Sequence, residues 1–147
     1  MNSPLSFRAS LMRCARKFGD EVNTLLLPYQ LNYSLWQVMF VIHDKQGCTS
    51  IEIADYLNVS KPSIAKRTQI LAQMNIVTQV QTDDKRQKKL VLSVAGQNLY
   101  QQCAAEIDLF EQQLIQRLDC QEVARSLNLL HQLTAALETQ TAERSHE

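Results

Sequence analysis

The sequence predicts a mainly α-helical protein with one small β-hairpin, and three observations lead there. Glycine and proline number three each in 147 residues, so little interrupts a helix. Apolar side chains recur at three- and four-residue intervals over most of the chain, the spacing of a helical stripe. Between residues 77 and 92 that period falls to two on either side of a charged segment, the pattern of two short strands and a turn. With 45% hydrophobic and 20% charged residues, the chain can bury a core without disulfide or metal staples.

A first helix is expected from Leu5 to Leu27, with Leu11, Ala15, Phe18, Val22 and Leu25 on one stripe, stopped by Pro28. Ser34 is read as the cap of a second helix whose Leu35, Trp36, Val38, Met39, Val41 and Ile42 make it apolar nearly all round, and so buried. Lys45-Gln46-Gly47 ends it. Thr49 and Glu52 have the spacing of a capping box, which starts a short helix with Ile53, Ala54 and Leu57 facing inward. Asn58 follows, where a residue tolerant of positive φ turns the chain. Ser60 caps the next helix, with Pro62 in its first turn and Ile64, Leu71 and Met74 inward. Two short helices joined by a tight turn make a helix-turn-helix. After Asn75 the alternating runs 77–82 and 89–92 flank Asp83 to Lys88, so the hairpin forms a wing with a charged tip. A long helix from about Ala95 then carries Tyr100, Cys103, Ile107, Phe110, Leu114 and Leu118. Asp119 and Glu122 are spaced as a second capping box ahead of a last helix bearing Leu127, Leu130, Leu133 and Leu137. Residues 141–147 are expected to fray.

The formal net charge is zero, but its distribution is polar. Residues 60–90 hold seven basic groups against two acidic ones, a net of +5, while residues 91–147 carry −5. Basic charge concentrated on a helix-turn-helix and its wing is the electrostatic footprint of a phosphate-binding surface.

Other function classes find no support. Four cysteines lie far apart with no C-x-x-C and no paired histidines, so neither a metal site nor a cofactor is expected. No phosphate loop, G-x-S-x-G or histidine paired with a nucleophile is present, which argues against an enzyme and leaves no catalytic candidates. The start of the sequence has no apolar leader, and no run approaches a membrane span, so a cytoplasmic protein away from membranes is expected.

Three stretches carry a family resemblance: Leu31 to Trp36, Thr49 to Ser60, and above all Asp84-Lys85-Arg86-Gln87-Lys88-Lys89-Leu90-Val91-Leu92-Ser93-Val94-Ala95-Gly96. The last is similar to the D-x-R wing and following L-x-L-[ST]-x-x-G of the MarR (multiple antibiotic resistance regulator) family of winged helix-turn-helix transcriptional regulators. Asn58 and Asn75 stand where that family often has glycine. The resemblance implies a regulator, by expectation a repressor, that binds a pseudo-palindromic site in double-stranded DNA as a homodimer.

On the helix that would enter the major groove, Ser60, Lys61, Pro62, Ser63, Lys66 and Arg67 are the candidate contacts, Lys66 and Arg67 as donors to guanine edges and Ser63 to base or phosphate. Ile70 is also read as outward. In the wing, Arg86 suits a narrow minor groove, Asp84 would orient it through a salt bridge, and Lys85, Lys88 and Lys89 would meet phosphates. Residues 1–30 and 95–140 are expected to form a helical dimerisation region and residues 31–94 the DNA-binding lobe, because the long terminal helices carry more apolar surface than a small core covers. The resemblance also implies a pocket for a small anionic or aromatic effector, for which Arg13, Arg16 and His43 are candidates, although a satisfied core histidine and surface arginines explain them as well. Some relatives in the family sense oxidants through a cysteine on the first helix. Cys14 is the candidate here, with basic neighbours that favour thiolate; a buried, inert thiol is the other reading. A winged-helix protein-interaction module is the alternative outside DNA binding.

Overall fold

The structure, a computed structural model, describes residues 4–84 and 88–146. In chain order the elements are α1 (Pro4–Leu26), a 3₁₀ turn (Leu27–Tyr29), α2 (Tyr33–Asp44), α3 (Ser50–Leu57), α4 (Lys61–Gln73), β1 (Val77–Gln81), β2 (Lys88–Leu92), α5 (Val94–Ile115) and α6 (Cys120–Ser145). The fold class is the expected one, a helical chain with a single two-stranded antiparallel hairpin.

Local chemistry explains most boundaries. Thr49 and Glu52 complete a capping box, and Ser60 accepts the amide of Ser63 at 3.3 Å to start α4. Asn58 and Asn75 both take left-handed backbone, φ 54° and 60°, as a turn residue after a helix must. The cap of α2 differs from expectation. Asn32, in extended backbone, accepts the Leu35 amide at 2.8 Å, and Ser34 falls inside the helix. The turn before it is already fixed by Asn23, whose side chain accepts the Tyr33 amide; that contact selects the earlier cap.

Residues 1–107 and 108–147 form two compact units. The core of the first is built by Val38, Met39 and Ile42 of α2 with Ile53, Ile64, Leu71, Ile76 and Leu90. Val22 and Leu26 of α1 are buried in the same cluster. Tyr100 of α5 stacks on both Trp36 and His43, with ring centroids 4.7 and 4.0 Å apart. In the second unit no residue of α6 is buried, and Leu127, Leu130 and Leu137 are exposed. Asp119 caps α6, but Glu122 pairs with Arg125 rather than reaching back, so that capping box is only half made. Helix continues to Ser145, with the Thr139, Thr141 and Ser145 hydroxyls donating to carbonyls four residues back and Arg144 in the last turn, where the helix dipole favours a cation.

The hairpin pairs Val77 with Leu92 through Gln81 with Lys88, and Cys48 exchanges two backbone hydrogen bonds with Leu90, at 3.0 and 2.7 Å, tying the α2–α3 connection to the wing. Where β2 turns into α5, Ser93 does several things at once. Its hydroxyl donates to the Asn75 carbonyl at 2.6 Å and accepts the Gly96 amide at 2.9 Å, while its own amide donates to the Ile76 carbonyl. A Cβ at position 96 would sit 2.1 Å from that carbonyl oxygen. The Ser-x-x-Gly spacing is thus a helix cap followed by a close approach that only glycine permits.

Gly96→Ala should therefore cost about 1–3 kcal/mol of stability, as overpacking does, and Ser93→Ala about 1 kcal/mol through the lost cap. Urea unfolding followed by circular dichroism checks both. Equal stability of the Gly96→Ala variant and the parent would disprove the close approach.

Candidate nucleic-acid interface

α4 presents its N-terminal half to solvent. Ser60, Lys61, Pro62 and Lys66 are exposed, and Ser63 is half-buried. Lys61, Lys66 and Lys88 pair with no carboxylate among the described residues, so their charge is available to an outside anion. Arg67 lies differently from expectation: it is half-buried, and its Nη1 reaches the Ser34 carbonyl at 3.4 Å and Gln37 Oε1 at 3.5 Å. That guanidinium braces α4 against the start of α2. Ile70, expected outward, packs partly buried against the core.

Between the outer face of α4 and β1 runs a groove of about 690 Å³. Ala65, Thr68, Gln69 and Ala72 line it from the helix, and Val77, Thr78 and Gln79 from the strand, with Ser50 and Leu90 also contributing. Sequence reasoning missed these residues. The signal was present, since positions 65, 68, 69 and 72 follow helical spacing on the flank adjoining Ile64 and Leu71, but they carry no charge. In the wing, Lys88 is exposed opposite Gln81 and Lys89 half-buried. The Thr82 hydroxyl donates to the Asp84 carbonyl at 2.8 Å, and Asp84 is exposed. Lys85 and Arg86 lie outside the described residues, and so does the expected pairing of Arg86 with Asp84.

His43 is not a core histidine. It is exposed, stacked on Tyr100, and lines a cleft of about 310 Å³ with Ile42, Gln46, Gly47, Leu92, Gln97 and Gln101. Arg13 and Arg16 are exposed on α1 and do not line that cleft, so the three candidate pocket residues are not brought together there. Cys14 is also exposed, against the reading of a buried thiol. Cys48 and Cys103 are buried, and loss of solvent pushes each thiol up to about 11. Tyr29, also on the first unit, donates its hydroxyl to Glu106, and that bond raises its phenol above the ordinary value. Among the described residues no three His, Cys, Asp or Glu side chains converge as metal ligands, and no helix is long and apolar enough to cross a membrane.

A helix-turn-helix, a basic outer helix and a hairpin wing now have counterparts among known proteins. The MarR family model matches residues 31–88, and the HTH-type transcriptional regulator YwoH of Bacillus subtilis is 30% identical over 101 residues, 69% of this chain and 74% of that protein. The chain belongs to the MarR family. Its fold is that of other MarR proteins. Staphylococcus aureus MarR in complex with salicylate and kanamycin superposes with a TM-score of 0.83 at 22% identity, covering 92% of each chain. A mutant of Escherichia coli MarR complexed with operator DNA gives 0.76 at 21% identity, over 85% of this chain and 91% of that one. The protein is thus a MarR-family winged-helix transcriptional regulator that binds DNA, and not an enzyme.

The buried thiols give a check on this packing. No more than two thiols per chain should react with a disulfide reagent at about pH 8 before unfolding, and Cys48 and Cys103 should react only once urea opens the core. Between about pH 9 and 11 the unfolded chain loses thiol protons that the folded one keeps, so stability should fall across that window. Rapid reaction of all four thiols in the native protein would refute the assignment.

Proposed function

We propose that this MarR protein is a repressor that grips a pseudo-palindromic operator as a homodimer, with α4 of each copy in a major groove and the wing reaching the adjacent minor groove. The observation that carries the reading is the disposition of charge: Lys61 and Lys66 on α4 and Lys88 on the wing are exposed, with no carboxylate partner among the described residues. Phosphate contacts from those lysines position the protein, and side chains of the first turns of α4 read base edges. Arg67 takes part only if its brace to α2 opens or if its remaining nitrogens reach the DNA. Arg86 supplies the minor-groove contact, oriented by Asp84, with Lys85 beside it on phosphate.

The homodimer is supported by apolar side chains left exposed on both terminal helices, among them Phe7, Met12, Leu127 and Leu137. Release by a small aromatic or anionic ligand is supported by the salicylate bound in Staphylococcus aureus MarR. The His43 cleft is the place proposed for such a ligand, since the His43 ring, held by its stack on Tyr100, offers an aromatic surface on its wall. A ligand that prefers a spacing of the two lobes incompatible with successive major grooves lowers DNA affinity by shifting that population.

Selection of bound sites from random duplex DNA, run with the parent and with Arg86→Ala, tests the reading. The parent should enrich a twofold-symmetric motif, and Arg86→Ala should bind it more weakly by about 1–3 kcal/mol. If no symmetric motif emerges even at low salt, the repressor reading fails. If the variant matches the parent, only the wing contact does.

A further inference from the structure

In duplex DNA a major groove and the minor groove beside it are separated by one sugar–phosphate strand. With α4 in the first and the wing in the second, the docking on which this inference rests, that strand has to pass between helix and wing. The space available there is the groove of about 690 Å³. Its composition is unexpected for a phosphate site: no Lys, Arg, Asp or Glu is among the residues that line it. Ala65 and Ala72 keep the helix wall low on both sides of Gln69, and Gln79 stands on the strand wall. The Thr68 hydroxyl is committed to the Ala65 carbonyl at 3.0 Å. Gln69 and Gln79, in contrast, are exposed and have no hydrogen-bond partner among the described residues, and each carboxamide offers two N–H donors.

We infer that this groove is the seat of one phosphodiester strand, held by neutral donors: Gln69 from α4 and Gln79 from β1 hydrogen-bond to its phosphate oxygens from opposite walls. The exposed lysines of α4 and the wing attract the strand by charge and release counterions as they do so. The glutamines fix its register without releasing any. The two kinds of contact therefore leave different signatures. Losing a lysine lowers the slope of log affinity against log salt by about one; losing a glutamine lowers affinity by the same factor at every salt concentration.

The test uses the full chain and its selected duplex, with affinity measured by fluorescence anisotropy from about 50 to about 300 mM KCl. Gln69→Ala and Gln79→Ala should each bind about tenfold more weakly throughout, the size expected for a hydrogen bond to a charged group, with the parent's salt slope and an unchanged selected motif. Lys88→Ala should reduce the slope. A scan of single methylphosphonate linkages should find one position per half-site where the parent loses affinity and the double glutamine variant loses nothing further. Parent-like affinity of both glutamine variants, a lysine-like change of slope, or a shift of the selected motif at one base pair would each overturn the seat, the last by making Gln69 or Gln79 a reader of bases. Failure of the parent to bind any duplex is a separate result, and it would remove the docking itself. Circular dichroism of each variant guards against misfolding, and both side chains are exposed.

Discussion

The main-chain carbonyl of Ile76 is the point on which the DNA-binding lobe turns. It accepts the amide of Ser93 and lies against the bare Cα of Gly96. The end of α4, the start of β1, the end of β2 and the start of α5 all meet within this cluster. A buried carbonyl has to be satisfied, and here satisfying it fixes where the wing leaves the recognition helix. The left-handed turn at Asn75 delivers Ile76 to that place, and Ser93 receives it. The angle between helix and wing, and with it the width of the groove between them, follows from a few main-chain atoms rather than from the large side chains of the core.

Much of this architecture was legible in the sequence because the signals are local. A cap and its partner three residues on, or an asparagine after a helix, act through neighbouring backbone, so Thr49 with Glu52, Ser60, Asn58 and Asn75 were all identified from spacing alone. Where the structure departs from the local reading, distant contacts decided. Asn32 caps α2 in place of the expected Ser34, and the contact that goes with it comes from Asn23, ten residues from Tyr33. His43 sits among apolar neighbours in sequence, yet it lands at the solvent edge of α2 against a tyrosine 57 positions away. Arg67 has the period of an outward residue and the reach of a guanidinium, and the reach won.

The candidate interface separates into two chemistries that sequence counting merged. Net charge identified residues 60–90 as basic, and the structure holds both exposed lysines on α4 and the wing and, between α4 and β1, a groove with no charged lining. Charge acts over about a Debye length, roughly 8–10 Å at ordinary salt, whereas a hydrogen bond acts only at contact. Lysines therefore govern approach, and small polar residues govern fit. A scan for Lys and Arg finds the first group and passes over the second.

Tyr100 packs between two rings of α2, and one of them belongs to Trp36, the only tryptophan of the chain. The indole's ground-state surroundings are thus set by the contact between α2 and α5, and the His43 imidazole shares the same phenol ring. The protein consequently carries an intrinsic optical probe at the joint between its second and fifth helices. Its emission registers any sliding of one past the other without a label.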